Sequence, residues 1–164
     1  MSKPVLVVSD VAPDKLTRLL DRYGLTLVML DDDVSITGSF WGDPEAGIVE
    51  RQVFVRRDTP VHSLLHEVCH LVCMNEARRN KLNTDAGGDD LEESAVCYLQ
   101  IVLAECLDGV GSARLMRDMD SWGYSFRLGS TRRWWLEDAE DASKWLIGQG
   151  LLTETGEPVF VLRV

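Results

Sequence analysis

The sequence predicts an α+β fold: a small twisted, mostly antiparallel sheet with a backing helix, followed by a histidine-bearing helix and further helices. Three observations predict it. Segments with strand character gather before Thr59, and helical periodicity dominates after it. All three histidines of the 164-residue chain fall within "HSLLHEVCH", residues 62–70.

In chain order, "PVLVVS" reads as a short strand. A helix over Pro13 to Tyr23 follows, with Leu16, Leu19 and Leu20 on one face and Gly24 as its stop. "LTLVML" is a second strand, and the run Asp31, Asp32, Asp33 a solvated turn. "SITGSFWG" and "GIVERQVFVRRD" read as two strands joined by the turn "GDPEAG". In the latter, Val49, Val53 and Val55 alternate with polar neighbours.

Thr59 followed by Pro60 signals a helix start, with an N-cap hydroxyl and then proline at the first helical position. "RRNKLNTDAGGDD" is a polar, glycine-containing loop, and a long helix from about Leu91 to Leu107 follows it. "GSARLMRDMDSWGY" predicts a third helix of this half. "STRRWWLEDAEDASKWLIGQG" predicts a fourth, capped by Ser130 and closed by glycine. "PVFVLRV" reads as a final strand. Trp134, Trp135 and Trp145 are expected to pack helices rather than to form a ligand platform. With no repeat and no linker-like stretch, residues 1–164 are expected to form one domain.

Composition narrows the function classes. Hydrophobic residues make up 45% and charged residues 27%, as in a globular protein. The formal net charge of -10 argues against non-specific nucleic-acid binding and against adsorption to an anionic membrane. No apolar run has the length of a signal peptide or a membrane span, so a cytoplasmic protein is expected. Cys69, Cys73, Cys97 and Cys106 lack the spacing of a disulfide framework, and reduced thiols are expected.

The histidine window carries the chemistry. Residues four apart on a helix lie nearly one above the other, so His66 and His70 can present two imidazoles to one zinc ion per chain. Glu67 projects to the side, where it can act as general base rather than ligand. Val61, Leu64, Leu65, Val68 and Val72 give this helix an apolar back. His62 continues the histidine face. A rise of about 6 Å per four residues keeps three such side chains from converging on one ion, so a non-ligand role is expected for His62. Cys73 falls near the same face and is expected to be a small buried thiol.

A third protein ligand is needed from elsewhere. Glu92 shares a stripe with Ala95, Val96, Leu99 and Leu103, and a carboxylate on an apolar stripe is costly unless paired or metal-bound. Glu93 lies about 100° round the helix, with Cys97, Gln100 and Ala104. Glu92 is the expected ligand and Glu93 its competitor.

"HEVCH", followed after a short loop by "EESA", resembles the gluzincin metallopeptidases, small bacterial members in particular. The resemblance covers about Thr59 to Leu103 and implies a minimal zincin-like core. In that family the third ligand opens an E-x-x-A or E-x-x-x-D pattern, which aligns Glu92 with Ala95. It also implies that "VERQVFVRR" borders the substrate cleft, and that a peptide or protein substrate is hydrolysed. The chain departs from the family at Val96, where an Asp or Asn is usual, and at Cys69. An alternative expectation is a zincin-like binding or regulatory module that retains zinc without turnover. Tyr98, Tyr124, Arg56 and Arg57 are the candidates for an oxyanion donor.

Overall fold

A computed structural model describes residues 5–39 and 44–164. The fold is α+β, with a three-stranded sheet and seven α-helices among the described residues. The sheet consists of β1 (Thr26–Met29), β2 (Gly47–Val49) and β3 (Gln52–Val55) in the order β1-β3-β2. It is mixed rather than mostly antiparallel. β2 pairs antiparallel with β3, whereas β1 pairs parallel, with Thr26 opposite Gln52 and Met29 opposite Val55.

The difference arises within "GIVERQVFVRRD", which is a hairpin and not one strand. Val49 pairs with Gln52, and the two residues between them make the turn, with Glu50 in the left-handed region at φ 51°. Alternation still sets the faces: Ile48, Val53 and Val55 are buried. Ser35–Ser39 forms no strand, and the rest of that expected strand, with the start of its turn, lies outside the described residues. Gly38 instead accepts the Ile48 amide at 3.0 Å. The segment presses so close to Gly47 that a Cβ there would lie 2.0 Å from the Thr37 carbonyl oxygen.

Helix α1 (Pro13–Arg22) buries Leu16, Leu19 and Leu20 and packs on β1. Before it, "PVLVVS" makes only a bridge between Val7 and Pro60 and a 3₁₀ turn over Val8–Asp10. That bridge also moves the start of the histidine helix. α2 runs Val61–Cys73 with Pro60 at the N-cap position, and the Val61 amide donates to the Leu6 carbonyl at 2.9 Å. The Thr59 hydroxyl, expected as the cap, accepts the Arg56 amide instead.

α2 is the centre of the molecule, and α4 (Asp90–Ala104) packs along it through Ala95, Val96 and Leu99, all fully buried. Asp89 caps α4 by accepting the Glu92 amide at 2.8 Å. Between them the polar loop contains a short helix, α3 (Glu76–Asn80), started by Asn75, whose side chain accepts the Arg78 amide. α5 (Ser112–Trp122) ends at Gly123 in the left-handed region.

The expected fourth helix is two, α6 (Thr131–Glu137) and α7 (Glu140–Gly148), because the chain leaves helical geometry at Asp138 and Ala139. Ser130 caps α6 as its sequence indicated. Trp134 is buried, and Trp135 stacks on Tyr98 at 4.1 Å between ring centroids. Cys69, Cys73, Cys97 and Cys106 are free thiols, the first three buried. Among the described residues no helix is long and apolar enough to cross a membrane.

"PVFVLRV" forms no strand beyond a Leu152–Pro158 bridge. It closes the end of α2 instead. The Arg163 amide donates to the Val72 carbonyl and its guanidinium to the Cys73 carbonyl, at 2.9 and 3.1 Å. Buried Arg79 donates to the carbonyls of Leu71, Met74 and Arg163, satisfying groups that the helix end leaves open.

Candidate metal centre

The two imidazoles one turn apart on α2 converge on one carboxylate of α4. His66 Nε2 lies 3.0 Å from Glu93 Oε1, and His70 Nε2 lies 3.1 Å from Glu93 Oε2. Glu92 takes no part, which corrects the expected ligand. It is buried as its stripe implied, but its carboxylate accepts two hydrogen bonds from Arg78, at 2.7 and 2.8 Å, and one from Arg163 at 3.3 Å. Pairing with two guanidiniums removes the cost that seemed to require a metal. The rotation of about 100° between neighbours on a helix puts Glu93 on the histidine side. Gly88 makes room for this ion pair, since a Cβ there would meet Glu92 Oε2 at 2.2 Å.

Gln100, two turns along α4 from Glu93, orients the first imidazole. Its amide nitrogen donates to the His62 carbonyl at 3.1 Å, so its oxygen faces His66 Nδ1 at 2.7 Å. His66 Nδ1 therefore carries a proton. On a neutral ring Nε2 then presents a bare lone pair to a carboxylate oxygen 3.0 Å away. Two acceptors at that separation repel unless a proton or a metal cation lies between them. The arrangement has the donors of a zinc site: two imidazole nitrogens and a carboxylate, with a carbonyl-type partner behind the first histidine. His70 Nδ1 is buried and has no hydrogen-bond partner among the described residues.

Two groups of three potential donors lie close together around these rings. Donor atoms of His66, Glu67 and His70 are mutually within 4.8 Å, as are those of His66, Glu93 and Cys97. His62 stands apart: its Nδ1 is 3.2 Å from the Tyr124 hydroxyl and its ring packs against Trp122. Cys73 belongs to neither group and is buried near the tail.

Charge follows from this packing. Burial alone would raise the Glu93 carboxyl, but hydrogen bonds and charge from His66 and His70 overcome it and hold it well below the ordinary range. Burial opposes a charge on His66, yet the Tyr124 hydroxyl, the Cys97 thiol and Glu93 together drive its pKa well up. Burial raises the Glu67 carboxyl, against the opposing pull of the two histidines. His62 is pushed down to about 3, chiefly by burial, and Tyr124 up to about 12 for the same reason.

These groups form the floor of an open cleft of about 670 Å³. Glu45 and Thr84–Gly88 make up part of its wall, and Trp122, Gly123 and Tyr124 another part. The segment "VERQVFVRR" does not border it: β3 is the central strand, and the free side of β2 is taken by Leu82–Thr84. Of the expected oxyanion donors, Tyr124 lines the cleft, while Tyr98, Arg56 and Arg57 do not.

Gln100 and Cys97 had no assigned place at the site in the sequence reading, and Tyr124 had one only as one of four oxyanion-donor candidates. The first two were visible as a polar stripe running Glu93, Cys97, Gln100 at helical spacing. Tyr124 follows α5 and carries no local signal. No family model matches the chain, and no curated protein or solved structure does either.

Proposed function

We propose that the protein is a zinc-dependent peptidase with a minimal zincin-like core of the gluzincin type, cleaving a restricted intracellular peptide or protein. His66, His70 and Glu93 would hold one zinc per chain, with Glu67 as general base. The observation that carries this reading is the convergence of both Nε2 atoms on Glu93 at the floor of an open cleft that Glu67 also lines.

When bound there, zinc would supply a Lewis acid that polarises a carbonyl and makes water more acidic. The chain's own residues do the rest. Gln100 fixes the tautomer and plane of the His66 ring, so that Nε2 keeps its lone pair for a cation. Glu67 is the cleft carboxylate beside the two imidazoles that is not bonded to them, and it can take a proton from an attacking water and return it to the leaving amine. The net charge of -10 and the lack of a long apolar helix among the described residues support a target met in the cytoplasm rather than at a membrane.

The test is Glu67→Gln, which keeps shape and removes the base. Zinc content and melting temperature should stay near the parent's, and cleavage in a screen of cytoplasmic proteins should fall about 10²- to 10⁴-fold. Cleavage that survives the substitution intact refutes water activation by Glu67.

A second reading, a zincin-like regulatory module without turnover, is favoured by Cys97. A fourth protein donor within 4.8 Å of His66 and Glu93 could close the coordination sphere, as in structural zinc sites. Cobalt-substituted protein separates the two: a thiolate charge-transfer band that Cys97→Ser abolishes marks the closed site.

A further inference from the structure

Outside its histidines, the charged side chains that line the cleft are all acidic. Its lining carries four carboxylates, Glu45, Glu67, Asp85 and Glu93, and no lysine or arginine among the described residues. The closest guanidinium to the Gly87–Gly88 rim, that of Arg78, is already committed to Glu92 and to the Ala86 carbonyl. On the reading above, the charges of Glu67 and Glu93 are matched by the divalent ion. Those of Glu45 and Asp85 remain unmatched.

Glu45 is also shaped for a cation. The Trp122 indole N–H donates to its Oε1 at 3.2 Å, which holds the carboxylate beside the ring, and Trp122 is 41% exposed. The ring also packs against His62 at 5.2 Å between centroids, so two contacts fix the indole. A carboxylate held at the N–H edge of an exposed indole suits a planar, weakly hydrated guanidinium, which can stack on the ring face and donate hydrogen bonds to the carboxylate together. An ammonium uses the same corner less well.

We infer that the cleft selects basic peptides, seating an arginine side chain of the substrate over the exposed Trp122 ring within reach of the Glu45 carboxylate, with Asp85 favouring a second positive charge. This rests on the peptidase reading for its relevance to turnover, but binding tests it separately. Glu67→Gln protein loaded with zinc is titrated with fluorescein-labelled decapeptides of matched length, arginine-containing, lysine-containing or glutamate-containing, and anisotropy is recorded. Arginine peptides should bind at least about tenfold tighter than glutamate peptides, with lysine peptides between them.

Adding Glu45→Lys should cut arginine-peptide affinity about tenfold or more and improve binding of glutamate peptides. Trp122→Leu should lower arginine binding about three- to tenfold and narrow the gap to lysine. Melting temperature checks that each variant is folded, and the Glu45 change carries the test if Trp122→Leu fails to fold. Glu154→Lys, an exposed change of the same charge outside the cleft lining, is the control for bulk electrostatics. Equal binding of the three peptide classes overturns the inference, as does a loss with Glu154→Lys equal to that with Glu45→Lys. Peptide selection with no cleavage by the parent would leave the inference standing and count against the peptidase.

Discussion

Two adjacent carboxylates on α4 face two different pairs of basic side chains. On one side Glu92 is held by Arg78 and Arg163; on the other Glu93 is held between His66 and His70. The geometry is similar and the chemistry is not. A guanidinium has no lone pair to offer and keeps its proton, so the first pair can only be an ion pair. An imidazole can give up its proton and present a nitrogen to a metal, so the second pair can exchange protons for an ion. Burial and spacing alone do not separate a structural carboxylate from a ligand. The partners' capacity to be deprotonated does.

The largest effect expected from breaking this comparison is on metal content. Glu93→Ala, like His66→Ala or His70→Ala, should lower zinc affinity by at least about 10²-fold, because two remaining ligands rarely hold a tight site. Glu92→Ala should leave affinity within a few-fold, as read by competition with a chromophoric chelator. Equal losses at Glu92 and Glu93 would mean the two sites are not distinct.

Stability should answer in the opposite order. Glu92→Ala strands two guanidiniums that are a quarter to a third exposed, so the cost should fall below that of a fully buried pair, at about 2 kcal/mol. Urea denaturation of metal-free protein reads it directly. Glu93→Ala in the same assay should cost less than Glu92→Ala, since its carboxylate is half exposed.

A smaller effect sharpens the ligand side. Gln100→Leu removes the acceptor behind His66 and should weaken zinc binding about 10-fold, within the range for a lost outer hydrogen bond. Activity, if present, should drop with it, while Glu92 and its arginines are untouched. Unchanged affinity would show that Gln100 only fills space.

The smallest effect is a pH dependence of stability in metal-free protein. His66 has a raised pKa in the fold, so its contribution is full below the ordinary imidazole value of 6.5 and is lost as pH rises through the raised value. Glu93 is depressed, so its contribution is present above the ordinary carboxylate value of 4.5 and is lost as pH falls toward its folded value. His62, held neutral by burial, instead costs stability as pH falls below 6.5, so metal-free protein should be most stable near the upper end of the pH 4.5–6.5 window and weaken on either side. With zinc, the alkaline loss should disappear, because binding needs the unprotonated rings. Melting curves with and without chelator check this.

The helices were largely legible in the sequence. The 3.6-residue period marks α1, α2 and α4, and Ser130 and Gly123 mark ends of α6 and α5. The sheet was less so, because Glu50 at φ 51° folds a continuous alternating pattern into a hairpin, and no turn residue announces it. The break at Asp138–Ala139 has no glycine or proline either. At the site, His66, Glu67 and His70 were legible from spacing. The stripe argument correctly buried Glu92, but its partners lie 14 and 71 residues away, and only the fold brings them in. Nothing local distinguishes a carboxylate that will meet arginines from one that will meet histidines.

The clasp at the end of α2 has a consequence for the order of events in folding. Arg79 and Arg163 join segments 84 residues apart, and Arg163 reaches Cys73 across 90. Contacts of such sequence separation form late, after the local helical turns and the β2–β3 hairpin are in place. The last turn of the helix that bears both imidazoles is therefore secured only when the far end of the chain arrives. In hydrogen exchange, the amides from Leu71 to Met74 should gain protection together with that of Arg163, as one cooperative unit, and later than those at the N-terminal half of α2.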